Sequence, residues 1–356
     1  MRLAIDCRFS QKSGIGTYID NIVDCLLQYY PDNQYLLFCN RGSRFKQTDN
    51  VKIIETDIKP FSVKELIKFP VDEINECDVY FTPYINIPGG IKVPIYSVIH
   101  DVVFLDVEGL VSSIGRMMRK LYYKRAIKLS EKILTVSQFS KDRILHHFST
   151  QKEIIVAYNG VPNTILNYNE KSVEKKDYFL FVGNIKRHKG LHTLVKAYKN
   201  AQEKGLSSKL LIVGSNEKFR TSDDELTSLI NNIQGIEFTG WVTDKKLLQL
   251  ISEAKALVQP SLYEGFGLPP LEALHLGSDV ILSDIQVFKE LYGDLPVTFF
   301  QVDNIDDLAN AMLNFKQKNH MTGSKDILNK RFSYRHLVDA IINTIRNDIE
   351  RFKIYH

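Results

Sequence analysis

The feature that most constrains the fold of this 356-residue chain is a rhythm that runs twice along it. Short runs of apolar residues end in glycine or a small polar residue and are followed by stretches with helical spacing. In the first half the runs are Leu3–Cys7, Tyr35–Cys39, Val51–Ile54, Val79–Phe81, Pro94–Ile99, Ile133–Val136 and Ile154–Val156. In the second they are Tyr178–Val182, Lys209–Val213, Ile236–Phe238, Ala256–Pro260, Asp279–Ser283 and Val297–Phe300. Runs with few polar residues in alternation suit strands covered on both faces, and strand–helix repetition produces such strands in a parallel sheet. The polar segment Pro162 to Asp177 separates the two series and reads as a linker. The expected architecture is therefore α/β, with two Rossmann-like β/α/β domains facing each other across a cleft. Residues 1–165 form the first and 166–335 the second, and a closing helix at about 336–356 packs back onto the first.

Composition narrows the function classes. The formal charge of +4 is too small to imply a nucleic-acid partner. The four cysteines, Cys7, Cys25, Cys39 and Cys77, contain no Cys-x-x-Cys pair, which argues against a zinc site and fits a reducing compartment. The chain enters a strand at once, so no signal peptide is expected, and no apolar run approaches the ~18 residues of a membrane span. These readings describe a cytoplasmic protein.

The candidate chemistry lies at strand ends. Ser261 to Leu274 reads as strand end, glycine loop and helix start, with Pro269 and Pro270 at the first helical turn. Backbone N–H groups at the Gly267-Leu268 corner would face an anion there. Glu264 precedes the loop, and Glu272 falls in the first turn, where it could equally cap the helix. After Val182 comes a cation-dense loop holding Asn184, Arg187 and Lys189, and Gly214 ends the next strand. Gly16 follows the first strand in a glycine turn, and His100 follows the Pro94–Ile99 strand. Trp241, the only tryptophan, reads as a core residue. From Gly109 to Ser130 there is no acidic residue. Arg119, Lys120, Lys124 and Arg125 there, with Arg8 near the N-terminus, are candidates for contact with an anionic acceptor or membrane. The alternative is a surface helix whose apolar stripe packs on the sheet. The chain has no Asp-x-Asp tripeptide to clamp a metal on a nucleotide sugar, so no metal or other cofactor is expected.

Glu264-Gly265-Phe266-Gly267-Leu268-Pro269-Pro270-Leu271-Glu272 resembles the signature of family 4 retaining glycosyltransferases of the GT-B fold. Gly14-Ile15-Gly16, His100-Asp101, Thr135 to Ser140, Asn159-Gly160-Val161, Val182-Gly183-Asn184, His188-Lys189-Gly190, Val213-Gly214 and Phe238-x-Gly240-x-Val242 follow the family's order. The resemblance implies a metal-independent hexosyltransferase of surface polysaccharide assembly, moving a sugar from a nucleotide-sugar donor to a glycan or polyprenyl-diphosphate-linked acceptor. GDP-mannose is the first expectation for the donor, with UDP- and dTDP-sugars open. It further implies that Glu264 and His100 lie at the donor sugar with the amides of Phe266, Gly267 and Leu268 nearby, that Glu272 holds the ribose, and that Lys189 holds the diphosphate. Gly16 would approach the phosphates, and the backbone at Val242 would meet the base. Asn184 stands where many relatives carry arginine, so either Arg187 supplies a second charge or Lys189 acts alone. The departing phosphate would take the acceptor proton. A double displacement would instead need a carboxylate beneath the anomeric carbon, for which Glu264 is the candidate. Two other classes share this two-domain pattern: a nucleotide-sugar 2-epimerase and an NAD-dependent oxidoreductase.

Overall fold

A computed structural model of the chain describes residues 1–11, 13–168, 174–184, 186–214, 224–318 and 322–355. Ile185, between Asn184 and Arg187, Ser215, which follows Gly214, and residues 169–173 of the linker lie outside the described residues. The chain divides into two compact units. Met1–Pro162 and Phe332–His356 form one, and Asn163–Arg331 forms the other.

The first unit is built on a parallel sheet of seven strands: β1 (Arg2–Asp6), β2 (Gln34–Cys39), β3 (Val51–Glu55), β4 (Val79–Thr82), β5 (Ile95–Val98), β6 (Lys132–Thr135) and β7 (Ile154–Val156). Their order is β3-β2-β1-β4-β5-β6-β7, so the winding reverses between β1 and β4. The strand residues Ala4, Phe38, Tyr80 and Ile133 are buried with helix residues such as Ala126 and Ile144, as strands covered on both faces require. The helix Tyr334–Tyr355 returns to this unit and packs on the helix Ser13–Tyr29. Tyr30 donates to Asp339 at 2.7 Å, Tyr96 donates to Asp348 at 2.9 Å, and Lys132 pairs with Asp348 at 3.0 Å.

The second unit repeats the plan with six parallel strands: β8 (Tyr178–Val182), β9 (Lys209–Val213), β10 (Ile236–Gly240), β11 (Ala256–Gln259), β12 (Asp279–Ser283) and β13 (Thr298–Phe300). Their order is β10-β9-β8-β11-β12-β13, and the reversal falls between β8 and β11, which pair through Ala256–Phe179 and Leu257–Leu180. Phe179, Phe181, Leu210, Ile212, Val258 and Ile281 are wholly buried beneath the helices Leu191–Glu203 and Ile305–Leu313. The described part of the linker is structured. Asn163–Leu166 is a short helix with Ile165 buried, and Lys175 donates to the Ser252 carbonyl and the Ser278 hydroxyl, both at 2.7 Å.

Candidate active site

In open α/β sheets the crevice at the carboxyl ends of the strands, where winding reverses, is the place a ligand can enter. In the second unit the loops after β8 and β11 flank that point. The first contains a 3₁₀ turn, Arg187–Lys189, and the second runs from Pro260 to Gly267. The Leu262 N–H donates to the His188 carbonyl at 2.8 Å and ties the loops together. Gly190 has φ of 69°, and a Cβ there would stand 1.9 Å from the Pro260 carbonyl oxygen, so only glycine allows the approach.

The two loops bring Lys189 and Glu264 together. The Lys189 ammonium lies 2.7 Å from each Glu264 oxygen. Ser261 Oγ donates to Glu264 Oε1 at 2.7 Å, and Gln259 Nε2 donates to Ser261 Oγ at 3.0 Å. The Lys189 and Glu264 side chains are 21% and 9% exposed, so this is a largely desolvated charge pair with one face open. Spacing gave no sign of Gln259 and Ser261. The only signal was two polar residues closing an otherwise apolar strand. His188 is buried, and its desolvation, reinforced by the Lys189 charge, pushes it down to about 4, so the ring is neutral. Arg187 and Asn184 are exposed on the same loop. A Cβ on Gly214 would stand 2.8 Å from the Gly183 carbonyl oxygen, so the ends of β8 and β9 meet closely.

The helix Leu268–His275 starts behind Gly267, whose φ is 89°, with both prolines at its start. Phe266 is buried beside it, and the Tyr292 hydroxyl donates to the Gly267 carbonyl at 3.0 Å. The first turn holds no acidic residue, because the helix begins at Leu268 and Glu272 lies in the second turn. Glu272 therefore does not cap this helix. It is half-buried, and desolvation, with a smaller contribution from the Asp244 charge, pushes its carboxyl up to about 7. Val242 lies just before the helix Asp244–Glu253 and is half-buried. Trp241 corrects the sequence expectation. It is 83% exposed on a chain turned outward at Gly240, φ 69°, not part of the core.

In the first unit Gly14 and Gly16 are not in a turn, because the helix already begins at Ser13. A Cβ on Gly16 would meet the Phe9 carbonyl oxygen at 2.5 Å, so glycine lets the helix sit against the loop after β1. His100 follows β5. Its Nε2 lies 2.9 Å from the Pro83 carbonyl, and Tyr18 stands edge-on with ring centres 4.8 Å apart. A carbonyl only accepts, so Nε2 carries the proton and Nδ1 is left as an acceptor. Desolvation pushes this imidazole down to about 4, outweighing the Pro83 carbonyl's opposite effect.

Arg8 is a second correction. It is 1% exposed, and its guanidinium donates to Asp6 at 2.9 and 2.6 Å, to Glu65 at 2.5 Å and to the Ile58 carbonyl at 3.0 Å. Asn86 also donates to Glu65 at 2.5 Å. With its donors held inside the unit, Arg8 cannot reach an acceptor or membrane. The basic helix Ser113–Leu129 also divides its cations. Arg119 lies over the Phe104 ring at 4.2 Å, and Arg125 donates to the Ile87 and Pro88 carbonyls at 3.1 and 3.2 Å. Lys120 and Lys124 are exposed. The helix packs inward through Tyr123, Ala126 and Ile127, whereas Met117, Met118 and Leu121 face outward.

Among the described residues no three His, Cys, Asp or Glu side chains cluster as metal ligands, and no helix is long and apolar enough to cross a membrane. Residues 165–335 match the family described as Glycosyl transferases group 1. The O-antigen chain mannosyltransferase RfbU of Salmonella typhimurium is 35% identical over 179 residues, 49% of each chain. O-antigen chain mannosyltransferase B of Escherichia coli is 30% identical over 192 residues, 50% of each chain. The matches thus span about half the length of these curated relatives. HepE of Anabaena, solved in complex with UDP and glucose, superposes with a TM-score of 0.75 over 98% of this chain and 100% of that one. At 16% identity that likeness speaks for the fold alone. The family match covers the second unit, just under half of the chain, and the likeness along the whole length shows a two-domain α/β chain of the GT-B fold.

Proposed function

We propose that the chain is a retaining hexosyltransferase that moves a sugar from a nucleotide-sugar donor to a glycan or polyprenyl-diphosphate-linked acceptor in surface polysaccharide assembly. It would work as a peripheral protein at the cytoplasmic face of the membrane. The observation that carries this reading is the Lys189–Glu264 pair at the β8–β11 switch point, beside the start of the helix Leu268–His275. A donor diphosphate entering there meets an ammonium and backbone N–H groups, which together oppose the charge that develops on the leaving group. Lys189 and these donors take the part a metal ion plays elsewhere. Once Lys189 turns to the diphosphate, Glu264 is freed to accept from the sugar hydroxyls, with Ser261 and Gln259 holding it in place. Glu272 accepts from the ribose, and the leaving phosphate oxygen takes the acceptor proton. In the first unit, the neutral His100 offers Nδ1 to a hydroxyl.

GDP-mannose is the donor we favour, because the relatives at 35% and 30% identity are both mannosyltransferases. A panel of GDP, UDP, ADP and dTDP tests the base. A ligand at 100 times its dissociation constant stabilises the fold by about 2.7 kcal/mol, enough for the cognate base to stand out in thermal unfolding. GDP giving the largest shift supports the reading. No shift with any of the four would overturn it.

A further inference from the structure

The first unit presents two neighbouring segments of the same make-up. In the helix Ser113–Leu129 the outward face carries Ile114, 72% exposed, with Met117, Met118 and Leu121. These recur at i, i+3, i+4 and i+7 and form one stripe. Lys120, Lys124 and Lys128 run along one flank of it, and with Lys152 and Phe148 they line a groove of about 800 Å³. On the other flank the Tyr122 ring meets the Phe61 ring edge-on, centres 5.0 Å apart.

Phe61 opens the second segment, which continues as the helix Val63–Lys68. Val63 and Ile67 project together, Ile67 74% exposed, and Lys64 and Lys68 are exposed beside them. The only acid in that helix, Glu65, is turned inward to Arg8. Phe61 itself has φ of 63°, a left-handed backbone uncommon for a bulky residue, with its N–H held by Glu65 at 2.8 Å. Strain of this kind persists where surrounding contacts fix it, here with a large ring on the surface.

Scattered exposed apolar residues need no explanation, but a contiguous apolar surface rimmed by one sign of charge does. We infer that Phe61, Val63, Ile67 and the stripe Ile114–Met117–Met118–Leu121 form a docking surface for an anionic lipid bilayer, with the flanking lysines against its headgroups. The charge pattern selects this occupant. Lysines stand on both segments and no acid competes on the outward faces, as interfacial binding to anionic lipid requires. Tyr84 packs on Phe61 with ring centres 5.2 Å apart and follows Pro83, whose carbonyl holds His100. The surface therefore adjoins the strand-end site of the same unit. A lipid-linked acceptor bound at the bilayer would reach His100 past these two rings, and this last step rests on the proposed transferase reading.

Co-sedimentation of the full chain tests the docking independently of turnover. The vesicles are phosphatidylcholine alone and an equal mixture with phosphatidylglycerol. The wild type is expected on the mixed vesicles and not on the neutral ones. Changing Lys120, Lys124 and Lys128 to Glu should weaken partition by about 100-fold or more, at about 1 kcal/mol per lysine. Changing Val63, Ile67, Met117 and Met118 to Ser should weaken it by at least about tenfold, while thermal stabilisation by the nucleoside diphosphate is unchanged. No binding of the wild type to mixed vesicles, or equal binding of all variants, overturns the inference. So does self-association that the serine variant abolishes in the absence of vesicle binding. Vesicle binding without sugar transfer would leave the docking standing and remove the transferase reading.

Discussion

Changing Lys189 to Met probes the pair that organises the second unit. It leaves the Glu264 carboxylate, 9% exposed, with Ser261 and Gln259 as donors and no cation. Breaking a buried pair by removing one partner costs about 3–5 kcal/mol. The open face and the two remaining donors reduce this to about 2–3 kcal/mol. Glu264→Gln should cost only about 1 kcal/mol, because Lys189, 21% exposed, can turn to water. The double variant removes the stranded charge, so its loss should fall about 2 kcal/mol short of the sum of the singles. Urea unfolding gives the four stabilities. Function should separate in the same set: Lys189→Met should lose affinity for the nucleoside diphosphate, whereas Glu264→Gln should keep that affinity and lose turnover. Stabilities that add within about 0.5 kcal/mol would refute the coupling. Retained turnover in Glu264→Ala would refute the assignment of Glu264 to the sugar.

Two predictions concern pH. In its proposed place at the ribose, the Glu272 carboxyl, pushed up to about 7 by burial, would accept best when ionised, so nucleoside diphosphate affinity should rise through pH 7. Calorimetric titration should show the slope in the wild type and a flat profile in Glu272→Gln. His100 and His188 are both held near 4 against an ordinary value of 6.5, so each favours the fold above 6.5 and loses that contribution as pH falls towards 4. Glu272 acts in the opposite sense, gaining stability relative to the unfolded chain as pH falls from about 7 towards 4.5. Unfolding midpoints should therefore show a smaller acid loss in His188→Gln than in the wild type, and an identical loss would count against the buried neutral ring.

The sheets were legible because strands buried on both faces must be apolar along their length, as Phe179 and Phe181 or Val79 and Phe81 are. Strand order was not, since nothing local records that β8 lies beside β11. The glycine corner and Glu264 stood out, but the cation that meets Glu264 is 75 residues away and needed the fold to find it. Arg8 misled for the same reason, because its second carboxylate, Glu65, is 57 residues away. Trp241 misled because a lone apolar residue after a glycine has no periodicity to say which way it faces. In the helix Ser113–Leu129 composition showed an apolar and a basic character, but not that part of the apolar face would be left uncovered.

The central claim is tested most directly by the anomeric configuration of the product. GDP-mannose, an α-linked donor, would be incubated with the protein and an acceptor glycan, and the new linkage read by proton NMR. The account predicts an α-mannosyl product formed by the wild type and absent with Glu264→Ala. A β-linked product, or an α-linked one still made by Glu264→Ala, would contradict it.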